Sequence, residues 1–162
     1  MTSKRIDWST IAPVIGTLYP PPFDEPCRRP QRRRLGDAAG LTQFSVNLLV
    51  LPPGAWSSQR HWHTRQDEFI YVLVGEVTLV TDAGEEVLRA GDSAGFKAGE
   101  ANGHCLQNRA TADARILEIG TRVGGDEGHY SDVDLFSPAE GKPAIYTRRD
   151  GTPYENLRRR SG

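Results

Sequence analysis

From Gly40 onward the sequence cuts its apolar residues into short runs and closes each run with turn residues. FSVNLLVL, residues 44–51, begins with alternation and stops at Pro52-Pro53-Gly54. EFIYVLVGEVTLVT, residues 68–81, is rich in β-branched and aromatic side chains and breaks at Gly75-Glu76, which predicts a hairpin or a bent strand. Asp82-Ala83-Gly84 turns the chain into a short strand over 85–89, Ala90-Gly91-Asp92 turns it again, and RILEI over 115–119 adds another strand. No stretch of eleven residues carries apolar spacings of three and four that outcompete these readings. Strands this short and frequent predict an all-β sandwich or barrel. The 17 glycines and 11 prolines among 162 residues suit a turn-rich chain, and the length predicts one domain with a core of its own.

The formal charge of −1 hides an uneven distribution. Residues 1–35 carry +4, residues 36–147 carry −8 and residues 148–162 carry +3. We read the first segment as an extended Pro/Arg-rich arm, because Pro20-Pro21-Pro22, Pro26 and Pro30 oppose a regular helix. The last reads as a basic C-terminal segment, and the acidic middle as the barrel. The five arginines between Arg28 and Arg34 suit either a solvated arm or a site for phosphate or an acidic partner. Near-neutrality argues against a nucleic-acid partner, and no apolar stretch approaches the 18 residues of a membrane span. Residues 1–13 hold no apolar run of seven, and Cys27 and Cys105 are too few for a disulfide framework. A cytoplasmic protein with two free thiols is expected over a Cys27–Cys105 bridge.

The chemistry concentrates in the histidines. His61-Trp62-His63 places two imidazoles on one face of a strand, since residues i and i+2 share a face. Glu68 has the opposite parity, so it joins them only if 64–67 form a turn or bulge. His104 follows the Lys97-Ala98-Gly99 turn and is deliverable by a neighbouring strand. Three imidazoles and a carboxylate suit Mn, Fe(II), Co, Ni, Cu or Zn and not Ca or Mg.

Gly54-x₆-His61-x-His63-x₄-Glu68-x₆-Gly75 resembles the first conserved motif of the cupins. Gly91-x₅-Lys97-x-Gly99-x₄-His104-x₃-Asn108 resembles the second, with Lys97 in place of the usual proline and four residues rather than two between Gly99 and His104. The resemblance implies an all-β double-stranded β-helix, or jelly-roll barrel, holding one divalent transition metal (Mn, Fe, Ni, Co or Zn) through His61, His63, Glu68 and His104. The stretches RHWHTRQDEFIYVLVGE, AGFKAGEANGHCLQNRA and DGTPY further resemble small bacterial single-domain cupins described as sugar-phosphate isomerases. The implied activity is a metal-dependent isomerase of a small polar substrate, a sugar or sugar phosphate. An Fe(II)-dependent dioxygenase and a non-catalytic binding or sensor cupin are the alternatives.

Asn108 is a candidate for orienting a ligand or substrate, or for a plain turn role, and Lys97 for binding a phosphate or carboxylate at the mouth. Tyr71 and Trp62 are expected to face away from the metal, Cys105 to be a buried small hydrophobe, and His129 to have no role. The general base is unassigned. Open sheet edges favour a homodimer.

Overall fold

The computed structural model describes residues 4–160. Its strands are β1 (Val14–Ile15), β2 (Gln31–Arg34), β3 (Phe44–Leu51), β4 (His61–His63), β5 (Glu68–Val74), β6 (Glu76–Thr81), β7 (Gly84–Arg89), β8 (Ser93–Phe96), β9 (Cys105–Gln107), β10 (Ala114–Thr121), β11 (Gly128–Tyr130) and β12 (Phe136–Ser137). The α-helix among the described residues is the single turn Leu35–Ala38.

One antiparallel sheet runs β1-β2-β3-β10-β5-β8. The opposing face is built from β12-β11-β4 and β7-β6-β9, joined by bridges between His61 and His104 and between Trp56 and Gln107. The two faces close over one core, which makes the fold a double-stranded β-helix. Gly75 takes φ +80° at the corner between β5 and β6, where a Cβ would lie 3.1 Å from the Asp113 carbonyl oxygen. Glycine alone turns there without strain.

The inward faces of three central strands explain where a site can form. Register pairs Ser45, Asn47, Leu49 and Leu51 of β3 with Gly120, Glu118, Ile116 and Ala114 of β10. On the other side, β10 sets Gly120, Glu118 and Ile116 against Glu68, Ile70 and Val72 of β5. The interior is therefore apolar at one end, where Leu49, Leu51, Val72, Ala114 and Ile116 are wholly buried. At the other end it is polar. Burying the apolar half supplies the hydrophobic stabilisation that lets the polar half stay open to a ligand.

Both ends of the chain pack on this body. Within 1–35, the arginine run enters the first sheet as β2, paired with Asn47–Val50. The proline-free tetrapeptide between Pro30 and Leu35 keeps the amide groups that a ladder needs. At the other end Thr147 bridges Phe136 and Pro153, and Arg149 Nη2 donates to the Tyr130 carbonyl at 2.8 Å. Tyr19, Cys27, Tyr130 and Leu135 form a second buried cluster beneath these segments. Cys27 and Cys105 are free and buried, and burial pushes their thiols up to about 12 and about 11.

Candidate metal centre

β4 presents His61 and His63 on one face, as the strand period requires. The turn expected between β4 and β5 is present and is held by Asp126, whose Oδ1 accepts the backbone N–H groups of Arg65 (2.8 Å) and Gln66 (3.0 Å). It reverses the parity and brings Glu68 to the histidines. His104 arrives beside His61 through two backbone hydrogen bonds of 3.2 and 2.9 Å. The Gly99 N–H, donating to the His63 carbonyl at 2.8 Å, ties the preceding turn to β4.

His61, Glu68 and His104 each bring a ligand atom within 4.8 Å of the others. His63 stands alongside, its Nε2 3.8 Å from Glu68 Oε2. The second nitrogen of each β4 histidine is fixed. His61 Nδ1 lies 2.9 Å from the Gln59 carbonyl and His63 Nδ1 2.6 Å from Asp126 Oδ2. Both partners only accept, so each Nδ1 carries a proton and each Nε2 is the nitrogen these partners leave untied. Phe96 stacks on His104 at 3.6 Å between centroids and holds the ring flat against the wall.

The electrostatics favour a cation. Burial pushes His61 down to about 4, against the pull of Glu68, so its imidazole is neutral at neutral pH. Glu68 is held down to about 2: burial acts to raise it, and His104 at 3.0 Å, with His61 and His63 nearby, overcomes that. Glu68 Oε2 is buried yet has no partner aligned for a hydrogen bond. An ionised carboxylate oxygen with no aligned protein donor, set among imidazole nitrogens, is a donor set that fits a divalent transition metal.

A cavity of about 190 Å³ opens beside this cluster, walled by Glu68, His104, Phe96, Gln66, Glu118 and Arg32. Arg32 grips Glu118 through two hydrogen bonds of 2.8 and 2.9 Å. Lys97 lines a smaller pocket of about 40 Å³ on the side of Trp62 and His63. Asn108 is not brought to the centre. Its amide donates to the Leu51 and Ala112 carbonyls and its oxygen accepts the Ala110 N–H, so it locks a turn. Tyr71 points outward, Trp62 stacks on His129 at 4.4 Å, and Cys105 is buried on the far face. Asp126, Gln66 and Glu118 are the site residues that sequence reasoning missed, while Arg32 stands out in the sequence only as one of the Arg28–Arg34 cluster. Parity offers a signal for Glu118 alone, as the polar residue at an inward position of RILEI.

The sequence profile of the cupin domain matches residues 47–120. A solved structure of a sugar phosphate isomerase from a cupin superfamily, from Silicibacter pomeroyi DSS-3, is 41% identical, with a TM-score of 0.84 over 94% of this chain and 97% of that one. This chain belongs to the cupin superfamily. A candidate sugar phosphate isomerase from Acidithiobacillus ferrooxidans is 27% identical, with a TM-score of 0.70 over 81% of this cupin and 82% of that chain. A predicted oxalate decarboxylase from Thermotoga maritima, 20% identical with a TM-score of 0.59 over 74% of this chain and 99% of that one, shares the fold. No curated protein matches this cupin. Among the described residues no helix is long and apolar enough to cross a membrane.

Proposed function

We propose that this cupin is a metal-dependent isomerase of a sugar or sugar phosphate. The observation that carries the reading is the unsatisfied Glu68 oxygen among histidines, at the wall of a cavity that holds a second carboxylate, Glu118. His61, His63, Glu68 and His104 would hold one divalent transition metal. When bound, such a metal supplies Lewis-acid polarisation of substrate oxygens.

The chain's own residues supply the rest. Glu118 faces Ile70 across the ladder and is therefore diagonal to Glu68, roughly 7–8 Å away at the backbone. Outside the metal-binding set, it keeps lone pairs beyond the two that Arg32 occupies, with which it would take a proton from one substrate carbon and return it to the next. Arg32 fixes its orientation and Gln66 offers an amide to a hydroxyl group. The 41% identical relative, named a sugar phosphate isomerase, supports the substrate class. The apolar outer face of β5, where Phe69, Tyr71 and Leu73 are each about 40% exposed, supports a homodimer.

The test is a panel of aldose and ketose phosphates with metal-reconstituted protein in deuterated water, followed by proton NMR. Interconversion with deuterium incorporated next to the carbonyl, and no oxygen uptake, is expected. Oxygen consumption would instead mark an oxygenase. Absence of turnover at full metal occupancy would point to a binding cupin.

A further inference from the structure

Arg32 and Arg34 lie two residues apart on β2 and leave the strand on one face. That face is the inner one, because Arg32 reaches Glu118 and the Ser57 carbonyl, the latter at 2.8 Å. Arg33, of opposite parity, donates to the Ile11 carbonyl and lies over Trp8 on the outside. Arg34, with its side chain 56% exposed, stands at the rim of this face, and a third guanidinium comes from the C-terminal segment. Arg159 Nη1 donates to the Gly16 carbonyl at 2.6 Å.

Arg32, Arg34 and Arg159 together line a cavity of about 260 Å³ with Thr17, Ser58 and Tyr146. This cavity adjoins the one beside the metal centre, and Arg32, Asn47, Ser57 and Ser58 wall both. Its charge is poorly balanced. Only Arg32 has a full carboxylate partner. Asp37 is 3.8 Å from Arg34 and is already bonded to Arg122. Among the described residues no carboxylate comes within ion-pair distance of Arg159. Burial, followed by the repulsion of Arg34 and Arg32, lowers its proton affinity. Three converging guanidiniums with one carboxylate, beside hydroxyl donors, match the multiple oxygens of a phosphate.

We propose that the Arg32–Arg34–Arg159 cavity binds the phosphate group of the substrate while the rest of the molecule reaches the metal centre. The assignment rests on the isomerase reading for that remaining part, but anion binding is measurable without turnover. It gives the arginine run of the sequence a function and narrows the substrate class to phosphorylated sugars.

The probe is inorganic phosphate, titrated against the full-length protein with and without a chelator and followed by phosphorus-31 NMR. The chelator arm removes phosphate bound to metal and leaves phosphate bound to arginine. Saturable binding that survives chelation is expected, weakened about tenfold or more by Arg34→Gln and by Arg159→Gln. Arg89→Gln, a surface change of equal charge, serves as the control and is expected to bind as the parent does. Unchanged melting temperatures show that the variants are folded; Arg34 and Arg159 are each also replaced by Lys, which keeps the charge and is expected to bind more tightly than Gln. No saturable binding, binding lost with the chelator, or equal affinity in all variants overturns the subsite. The isomerase reading fails separately, if phosphate binds as expected but no sugar phosphate is turned over.

Discussion

Asp126 Oδ2 lies 2.6 Å from His63 Nδ1 while its Oδ1 accepts the Arg65 and Gln66 amides, so one carboxylate both orients a histidine and builds the turn that delivers Glu68. Partners of this kind set the tautomer and basicity of a metal-binding imidazole. Asp126→Asn keeps an oxygen for the turn but removes the charge behind His63. We expect metal affinity to fall about 10–100-fold with little change in melting temperature. Calorimetric metal titration of the variant and its parent measures this. Equal affinity would leave Asp126 as a loop brace alone.

Glu118 and Arg32 allow the proton-transfer assignment to be separated from a stabilising role. Their side chains are 20% and 27% exposed, so the pair is partly screened and we expect less than the ~3–5 kcal/mol of a fully buried pair on breaking it. Arg32→Met leaves Glu118 unpaired and is expected to destabilise the protein by about 1–3 kcal/mol in urea. Glu118→Gln keeps the shape and one of the two acceptors for Arg32, and should cut isomerisation at least ~100-fold while metal content stays the same. Turnover by Glu118→Gln within a few-fold of the parent would exclude Glu118 as the base.

The strands of the barrel and the His61-x-His63 pair were legible because both rest on local pattern, whereas His104 joined them through the resemblance to the second cupin motif. Alternation predicts Phe44–Leu51, and the i, i+2 rule puts His61 and His63 on one face. The need for a turn between His63 and Glu68 also followed from parity. What held that turn did not, since Asp126 is about sixty residues away and nothing in its neighbourhood marks it. The arginine run was visible as charge but not as a strand. QRRR has low apolar content, and only pairing with Asn47–Val50 makes it one. Asn108 had two readings, orienting a ligand or a plain turn role, and its three hydrogen bonds, two to residues just downstream and one to the distant Leu51 carbonyl, fit the second.

The metal-free protein should lose stability on acidification in a range that His61 controls. Its folded-state value, about 4, lies below the ordinary 6.5, so between those limits the unfolded chain binds a proton that the folded chain refuses. Stability therefore rises with pH across this window and falls as pH drops from 6.5 toward 4. Glu68, held down to about 2 from 4.5, acts in the same sense further down. His61→Gln should flatten the upper part of the profile by something on the order of 2 kcal/mol. Urea midpoints at half-unit pH steps in the presence of a chelator give the comparison. Parallel profiles would mean that another group controls the window.

Gly120 sits opposite both Ser45 and Glu68 and leaves room for Gln66 in the cavity wall. A Cβ at Gly120 would fall 2.3 Å from Gln66 Nε2 and 3.3 Å from Ser45 Oγ. The first contact is the free end of a flexible side chain, which can swing aside, so Gly120→Ala should cost no more than about 1 kcal/mol. That corresponds to a melting shift of roughly 2–4 °C or less for a chain of this size. Function should suffer more than stability, because the displaced amide no longer meets the substrate and has the metal-side cavity to move into. A rise in KM of about tenfold with unchanged metal content is expected. A variant that melts normally and turns over normally would show that Gln66 lines the cavity without contacting substrate.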